Sequence, residues 1–322
     1  MSQTKHPIEK GTIRLIPYKV EQIVDETTEI PAGVALLQAP EVWDESEKGK
    51  GIVIAVLDTG CEPDHPDLVE RIIDGYNFTS DHKSDVKNFA DNNGHGTHVC
   101  GTIAASLNNA GVVGMAPEVK LLVLKVLQGD GAGSTKGIID AIHYALDWRG
   151  PNGEKVRIIS MSLGGPEDET ALHEAVKRAV EENVLVVCAA GNEGDGDDQT
   201  VELSYPGSYR EVVSVGAVSL DKKLARFSNT NQDIDVVGPG EKILSTYLNG
   251  KYAVLSGTSM ATPHISGAAA LIIKQCEKDF KRTLTEDEIY AQLVKRTVSL
   301  GYSKQAEGNG LLILTEGYGE IK

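Results

Sequence analysis

Aromatic residues are scarce, at 5% of 322 residues, so the chain offers few platforms on which bases could stack. Positive charge is also in short supply. Lys and Arg number 31 against 47 Asp and Glu, a formal net charge of −16. Nucleic acids and anionic membrane surfaces select for basic patches, so neither is expected as a partner. No apolar run approaches the ~18–20 residues of a membrane span. The first 18 residues carry Lys5, Glu9, Lys10 and Arg14 without a continuous apolar core, so no secretory signal is expected there. Only four cysteines occur: Cys61, Cys100, Cys188 and Cys276, none of them in a CxxC pair. Each lies in or beside an apolar or Gly-rich segment, the pattern of buried thiols in a reducing compartment rather than of disulfides or a zinc site. These absences point to an acidic protein of the cytoplasm.

What is present is an ordinary apolar share of 40%, enough for a full core, and 34 glycines, above the usual ~7%. Short apolar runs read as strands at Ile52–Leu57, Leu121–Leu127, Val156–Met161, Val184–Cys188, Val212–Val218 and Ile234–Val237. Helical spacing appears at Thr135–Trp148, Glu169–Glu182 and Thr258–Lys274, and Thr285 with Glu288 has the spacing of a capping box. Strands apolar on both faces, alternating with helices, predict an α/β fold: a doubly wound, mainly parallel sheet covered on both sides. Active sites of such sheets lie at the carboxyl ends of the strands, where Gly60, Gly164, Gly165, Gly191 and Gly194 fall. The first ~40 residues differ, with weak periodicity and prolines at 7, 17, 31 and 40. The expected organisation is a short extension at 1–18, a linker at 19–39 and one domain at 40–322.

Several motifs fail on inspection. The segment 129–136 is Gly-rich but lacks the Gly-Lys-Ser/Thr order of a phosphate loop. Asp58-Thr59-Gly60 would need a second such carboxylate to form an acid protease pair, and the chain has none. Gly257-Thr258-Ser259-Met260-Ala261 approaches a nucleophile elbow, yet no acid lies between Ser259 and the only later histidine, His264.

Three islands remain. Asp58 closes a buried strand, where a carboxylate is costly unless hydrogen-bonded. His95 and His98 open an apolar helix in Asn93-Gly94-His95-Gly96-Thr97-His98, which lacks the Glu of a zinc HExxH site. Ser259 stands near the start of an apolar helix, whose free N–H groups favour a developing oxyanion. Alone, a turn Asp, a helix His and an N-cap Ser would account for them. Together they form Asp, His, Ser in chain order, one of the known orders of a catalytic triad. The hydroxyl needs a base, and the base needs a carboxylate to fix its tautomer.

On these three motifs the chain resembles the subtilisin-like serine proteases, over about residues 40–315. The resemblance implies a triad of Asp58, His95 and Ser259, with His98 structural. It implies that Asn192, in Ala189-Ala190-Gly191-Asn192-Glu193, stabilises the oxyanion. Ser162-Leu163-Gly164 and Gly131-Ala132-Gly133 would be the two edges that hold an extended peptide. A small apolar pocket would lie between Ser162–Gly164 and Ala189, Ala190 and Gly191. Asp67 matches a calcium-ligand position of secreted relatives, and the Asp195–Asp198 loop is a second candidate, so calcium is an expected structural cofactor. The expected substrates are proteins and peptides, and a homodimer is the expected assembly. Leu15-Ile16-Pro17-Tyr18 is similar to the short extension of intracellular subtilisins of bacilli. By that resemblance these four residues lie in the groove as an inhibitory pseudo-substrate, with Pro17 breaking the strand. Two alternatives stay open: a catalytically silent peptide-binding module on the same fold, and an acyl hydrolase using the same triad.

Overall fold

The computed structural model describes residues 11–316. Its centre is a nine-stranded sheet with strands in the order Thr297–Val298, Leu311–Leu312, Val236–Pro239, Val213–Val218, Leu185–Ala189, Val156–Met161, Val53–Asp58, Lys120–Lys125 and Ile72–Asn77. All neighbours pair in parallel except the first two. Both faces are covered. Ile54 and Val56 pack into one apolar cluster with the helices His95–Ala104 and Thr258–Phe280. Val53, Ala55 and Leu57 pack into the other, with Thr135–Asp147 and Thr170–Glu181. A residue-by-residue alternation between two cores is what a strand buried on both faces requires. The fold is the expected doubly wound α/β architecture.

Strand order fixes where chemistry can occur. From Val53–Asp58 the chain first builds the sheet to one side, through Ile72–Asn77 and Lys120–Lys125. It then crosses to the other side with Val156–Met161. The crevice at this reversal, outside the carboxyl ends, is the usual ligand site of such sheets. Asp58, Ser162 and Asn192 all stand at or just past these ends.

The stretch 19–39, expected as a linker, is instead built into the molecule. Lys19–Val24 pairs antiparallel with Lys251–Ser256, which itself pairs with Ile243–Tyr247. Val34, Leu37 and Ala39 enter the main core. Its polar, β-rich composition carried no sign of a partner more than 200 residues away.

The capping box is present: the Thr285 side chain accepts from Glu288 N–H, and the Glu288 carboxylate accepts from Thr285 N–H. At the same helix start, burial, with Asp287 and Asp235 adding, pushes the Glu286 carboxyl up to about 7. Burial pushes neighbouring Asp235 up to about 6, against bonds from Tyr290 and Ser214. The folded state therefore holds these protons more tightly than the unfolded chain, whose carboxyls titrate near 4. This contribution to stability is complete below pH about 4 and is lost as pH rises towards 7. Glu286→Gln removes the penalty at a cost of about 0.3–1 kcal/mol in helix-dipole energy. Thermal melts should show Glu286→Gln more stable than wild type by a few degrees at pH 8 and no more stable at pH 4. Equal melting temperatures at pH 8 would contradict the buried-charge penalty.

Candidate active site

Asp58 ends its strand with its carbonyl taken by the N–H groups of Val126 and Leu127, at 2.9 and 3.1 Å. Its side-chain Oδ1 accepts from Thr59 N–H at 2.7 Å and lies 2.8 Å from His95 Nδ1. A carboxylate only accepts, so His95 Nδ1 carries a proton, and in the neutral ring Nε2 is then the nitrogen with the free lone pair. That Nε2 is buried without a hydrogen-bond partner.

Ser259 is the second residue of the helix Thr258–Phe280 and is fully buried. Its Oγ donates to the Ser162 carbonyl at 3.4 Å, and Ser162 Oγ donates to the Ser259 carbonyl at 3.1 Å. The Asp–His link is thus made, whereas the Ser259 hydroxyl is turned to Ser162 rather than to the imidazole. Asn192 is oriented by Thr258, whose N–H and hydroxyl both donate to its Oδ1, at 2.9 and 2.8 Å. This leaves Nδ2 facing the groove, where it donates to the Pro17 carbonyl at 2.7 Å.

The groove holds the chain's own N-terminal segment. Thr12–Leu15 is the middle strand of a three-stranded antiparallel sheet, between Ala132–Ser134 and Leu163–Gly164. Ile13 pairs with Gly133, Arg14 with both Ala132 and Gly164, and Leu15 with Leu163. Leu15 N–H donates to the Gly131 carbonyl at 2.8 Å. Gly131 has φ +80°, a conformation that disfavours side chains, and a Cβ there would come within 3.0 Å of Leu15. Ile16 is 2% exposed and packs over Gly164. The cavity beside it, about 240 Å³, is lined by Gly164, Gly165, Pro166, Glu193, Leu203 and Ser204 on the body of the protein. Ala189, Ala190 and Gly191 are buried and stand outside that lining. Tyr18 then crosses the site. Its ring lies 4.8 Å from that of His95, and its hydroxyl donates to Asn93 Oδ1 at 3.1 Å. Burial pushes its phenol well above the ordinary value.

His98, the other histidine of the motif, points elsewhere. Its Nε2 meets the carbonyls of Ile243 and Ala253 at 3.0 and 3.1 Å, and burial pulls it down to about 3. It is a neutral donor that ties its helix to the hairpin. Two positions escaped the sequence pattern. Asp91 accepts from Thr59 Oγ, Asn93 N, Gly94 N, Thr97 N and Thr97 Oγ, and so fixes the loop ahead of His95. Lys125 is a fully buried cation behind Asp58. A lysine interrupting the apolar run Leu121–Leu127 was the available signal.

Asp67 is buried, and its oxygens accept from Asn108 Nδ2 at 3.1 Å and Val112 N–H at 3.0 Å. Each carboxylate oxygen thus carries one N–H donor and keeps lone-pair capacity for a further partner. Among the described residues no group of three or more His, Cys, Asp or Glu could hold a metal.

Residues 49–319 match the subtilase family, peptidase S8. The chain belongs to that family. It is 57% identical over 303 residues to an intracellular serine protease of Paenibacillus polymyxa, covering 94% of this chain and 91% of that one. It is 54% identical over 306 residues to the major intracellular serine protease of Bacillus subtilis (strain 168), covering 95% and 94%. To subtilisin DY of Bacillus licheniformis it is 39% identical over 274 residues, covering 85% and 93%.

Proposed function

We propose that this protein is an intracellular serine endopeptidase, with Ser259 as nucleophile, His95 as base, Asp58 as its orienting carboxylate and Asn192 as oxyanion donor. One observation carries the reading. A peptide lies between Ala132–Ser134 and Leu163–Gly164 as a strand, and its Pro17 carbonyl accepts the Asn192 amide at 2.7 Å. Main-chain pairing on both sides holds any extended sequence, with side-chain pockets filtering it.

The reaction follows from the atoms. Ser259 Oγ rotates to His95 Nε2, gives up its proton there and bonds to the substrate carbonyl carbon. The oxygen that gains charge takes the Asn192 N–H. Asp58 holds the imidazolium by its Nδ1–H. Collapse of the intermediate breaks the C–N bond, and the leaving amine takes the proton from His95. Water, deprotonated by the same nitrogen, then releases the acid and restores Ser259.

The same geometry supports a latent state while residues 15–18 remain attached. The ladder of Thr12–Leu15 stops before Pro17, which has no N–H to donate. The Ser162 carbonyl, next along that edge, holds Ser259 Oγ instead. Tyr18 covers His95. The segment therefore occupies the site in a form that is not productively aligned for attack.

A serine-directed fluorophosphonate tests the assignment. After removal of residues 1–18 the protein should label covalently at Ser259 and cleave casein. Labelling without casein or peptide cleavage, but with ester turnover, would favour an acyl hydrolase. No labelling would favour a silent module.

A further inference from the structure

Lys125 ends the strand Lys120–Lys125, in register with Asp58 on one side and Asn77 on the other. Its side chain is fully buried. A buried ammonium is tolerated only when its protons are hydrogen-bonded and its charge is paired. Nζ donates to the Thr59 carbonyl at 2.7 Å, Asn92 Oδ1 at 2.9 Å and the Leu127 carbonyl at 3.0 Å, and Asp81 Oδ2 lies 3.1 Å away.

Each acceptor leads to a different part of the site. Thr59 follows Asp58, and its hydroxyl accepts from Gly96 N–H at 2.9 Å, next to His95. The same hydroxyl donates to Asp91 at 2.9 Å, and Asn92 continues that loop. Asp81 Oδ2 accepts from Gly129 N–H at 2.8 Å and from Asn92 Nδ2 at 3.0 Å. Asn93 Nδ2 donates to the Gly129 carbonyl at 2.9 Å and closes the ring. Gly129 and Leu127 begin the turn whose far side, Gly131–Gly133, pairs with the bound segment. Burial works against ionisation of Asp81, yet its bonds from Asn92, Lys125 and Gly129 hold the carboxyl below its ordinary value.

We propose that Lys125 is a positioning residue, whose buried ammonium clamps the Asp58–His95 pair to the groove edge at residues 128–133. One group then sets both the orientation of the base and the register of the peptide. Among its partners Thr59 bonds the Asp58 carboxylate directly, through its own N–H at 2.7 Å. An apolar residue would serve strand packing equally well. Three donors on one atom are what carbonyl, amide and carboxylate acceptors converging on one point require.

The inference rests on the endopeptidase reading. It is tested in wild type, Lys125→Met and Asp81→Asn. Each carries a sequence-specific protease site inserted between Tyr18 and Lys19, which is cleaved before assay. Active sites are counted with the fluorophosphonate, so a misfolded fraction does not enter the rates. Substrates are an acyl-tetrapeptide p-nitroanilide and an acyl-single-residue p-nitroanilide. Misplacement on the ångström scale costs about a hundredfold, so kcat per active site in Lys125→Met should fall by about that factor on both substrates. Asp81→Asn weakens the hold on Gly129 at the outer edge while Thr59 and Leu127 still bind Lys125 beside Asp58, so its loss in kcat/KM should be several-fold greater on the tetrapeptide. Lys125→Met within twofold of wild type on both substrates overturns the proposal. If Lys125→Met fails to fold, an unchanged substrate ratio in Asp81→Asn overturns it. Wild type that neither labels nor turns over either substrate removes the endopeptidase reading itself.

Discussion

Ser259→Ala should fold normally and lose peptidase activity by about a millionfold, the loss known for removal of subtilisin's own serine. The expectation follows from the division of labour around the side chain. Ser259 Oγ makes one long bond, 3.4 Å to the Ser162 carbonyl, whereas the main-chain carbonyl of Ser259 keeps the firmer bond from Ser162 Oγ. Removing the hydroxyl therefore costs little packing and takes away the proposed nucleophile. His95 and Asp58 would still be paired, and Asn192 would still be aimed at the groove, but without a nucleophile they retain only weak catalysis over water. Fluorophosphonate labelling should vanish in step. Mass spectrometry over time should show wild type losing its N-terminal residues, while Ser259→Ala in isolation stays at full length. Casein cleavage by the variant above about 1% of wild type would assign the chemistry to another group, since loss of the nucleophile costs orders of magnitude more.

The parallel core was legible because its strands are bounded apolar runs. Ile52–Leu57 reads as a strand, and Val53–Asp58 is one. The same holds for Val156–Met161 and for the helix at Thr135, whose start is capped by Ser134. The hairpin Ile243–Tyr247 and Lys251–Ser256 was not legible. It mixes Ser, Thr, Tyr and Lys with apolar residues, and its outer partner, Lys19–Val24, lies at the other end of the chain. Ser259, His95 and Asp58 stood out because each sits in a Gly- or Ser-rich island that breaks an apolar pattern. Asp91 and Lys125 did not, because an Asp before a turn and a Lys in a strand acquire meaning only from what converges on them. Asn192 was visible only by likeness. Its orientation depends on Thr258, and nothing local to Gly191-Asn192-Glu193 announces that contact. The cavity left beside Ile16 is lined by Gly164 together with Glu193 and Ser204, two side chains that nothing in the local pattern singles out.

If residues 15–18 hold the protein latent, as proposed, Pro17→Leu should yield a protein that cleaves itself at once. In wild type, strand pairing carries the segment in as far as Leu15, and Ile16 is buried over Gly164. Proline then fixes φ near −65° and offers no N–H, so the extended course cannot continue across Ser259. The carbonyl delivered to Asn192 is that of Pro17, while Ser259 Oγ rests on Ser162 and His95 Nε2 has no partner. Leucine would let the chain stay extended and supply the missing donor. Freed of the proline's fixed φ, the extended chain could also bring Ile16 N–H, present in wild type but left short of the ladder, onto the Ser162 carbonyl and so release Ser259 Oγ towards His95. Recovering a near-attack alignment is worth at least about a hundredfold in rate. Progress curves on a peptide substrate should therefore show a lag for full-length wild type and none for Pro17→Leu. Intact-mass spectra should show the variant shortened within the segment 15–18. The double variant Pro17→Leu, Ser259→Ala should remain uncut, which separates self-cleavage from a contaminating protease. Pro17→Ala discriminates within the mechanism, because it restores the N–H without adding a larger side chain. If missing strand pairing is what maintains latency, Ala should activate nearly as well as Leu. A lag in Pro17→Leu as long as that of wild type would mean that proline is not the lock. The inhibition would then have to come from Tyr18, whose ring lies against His95.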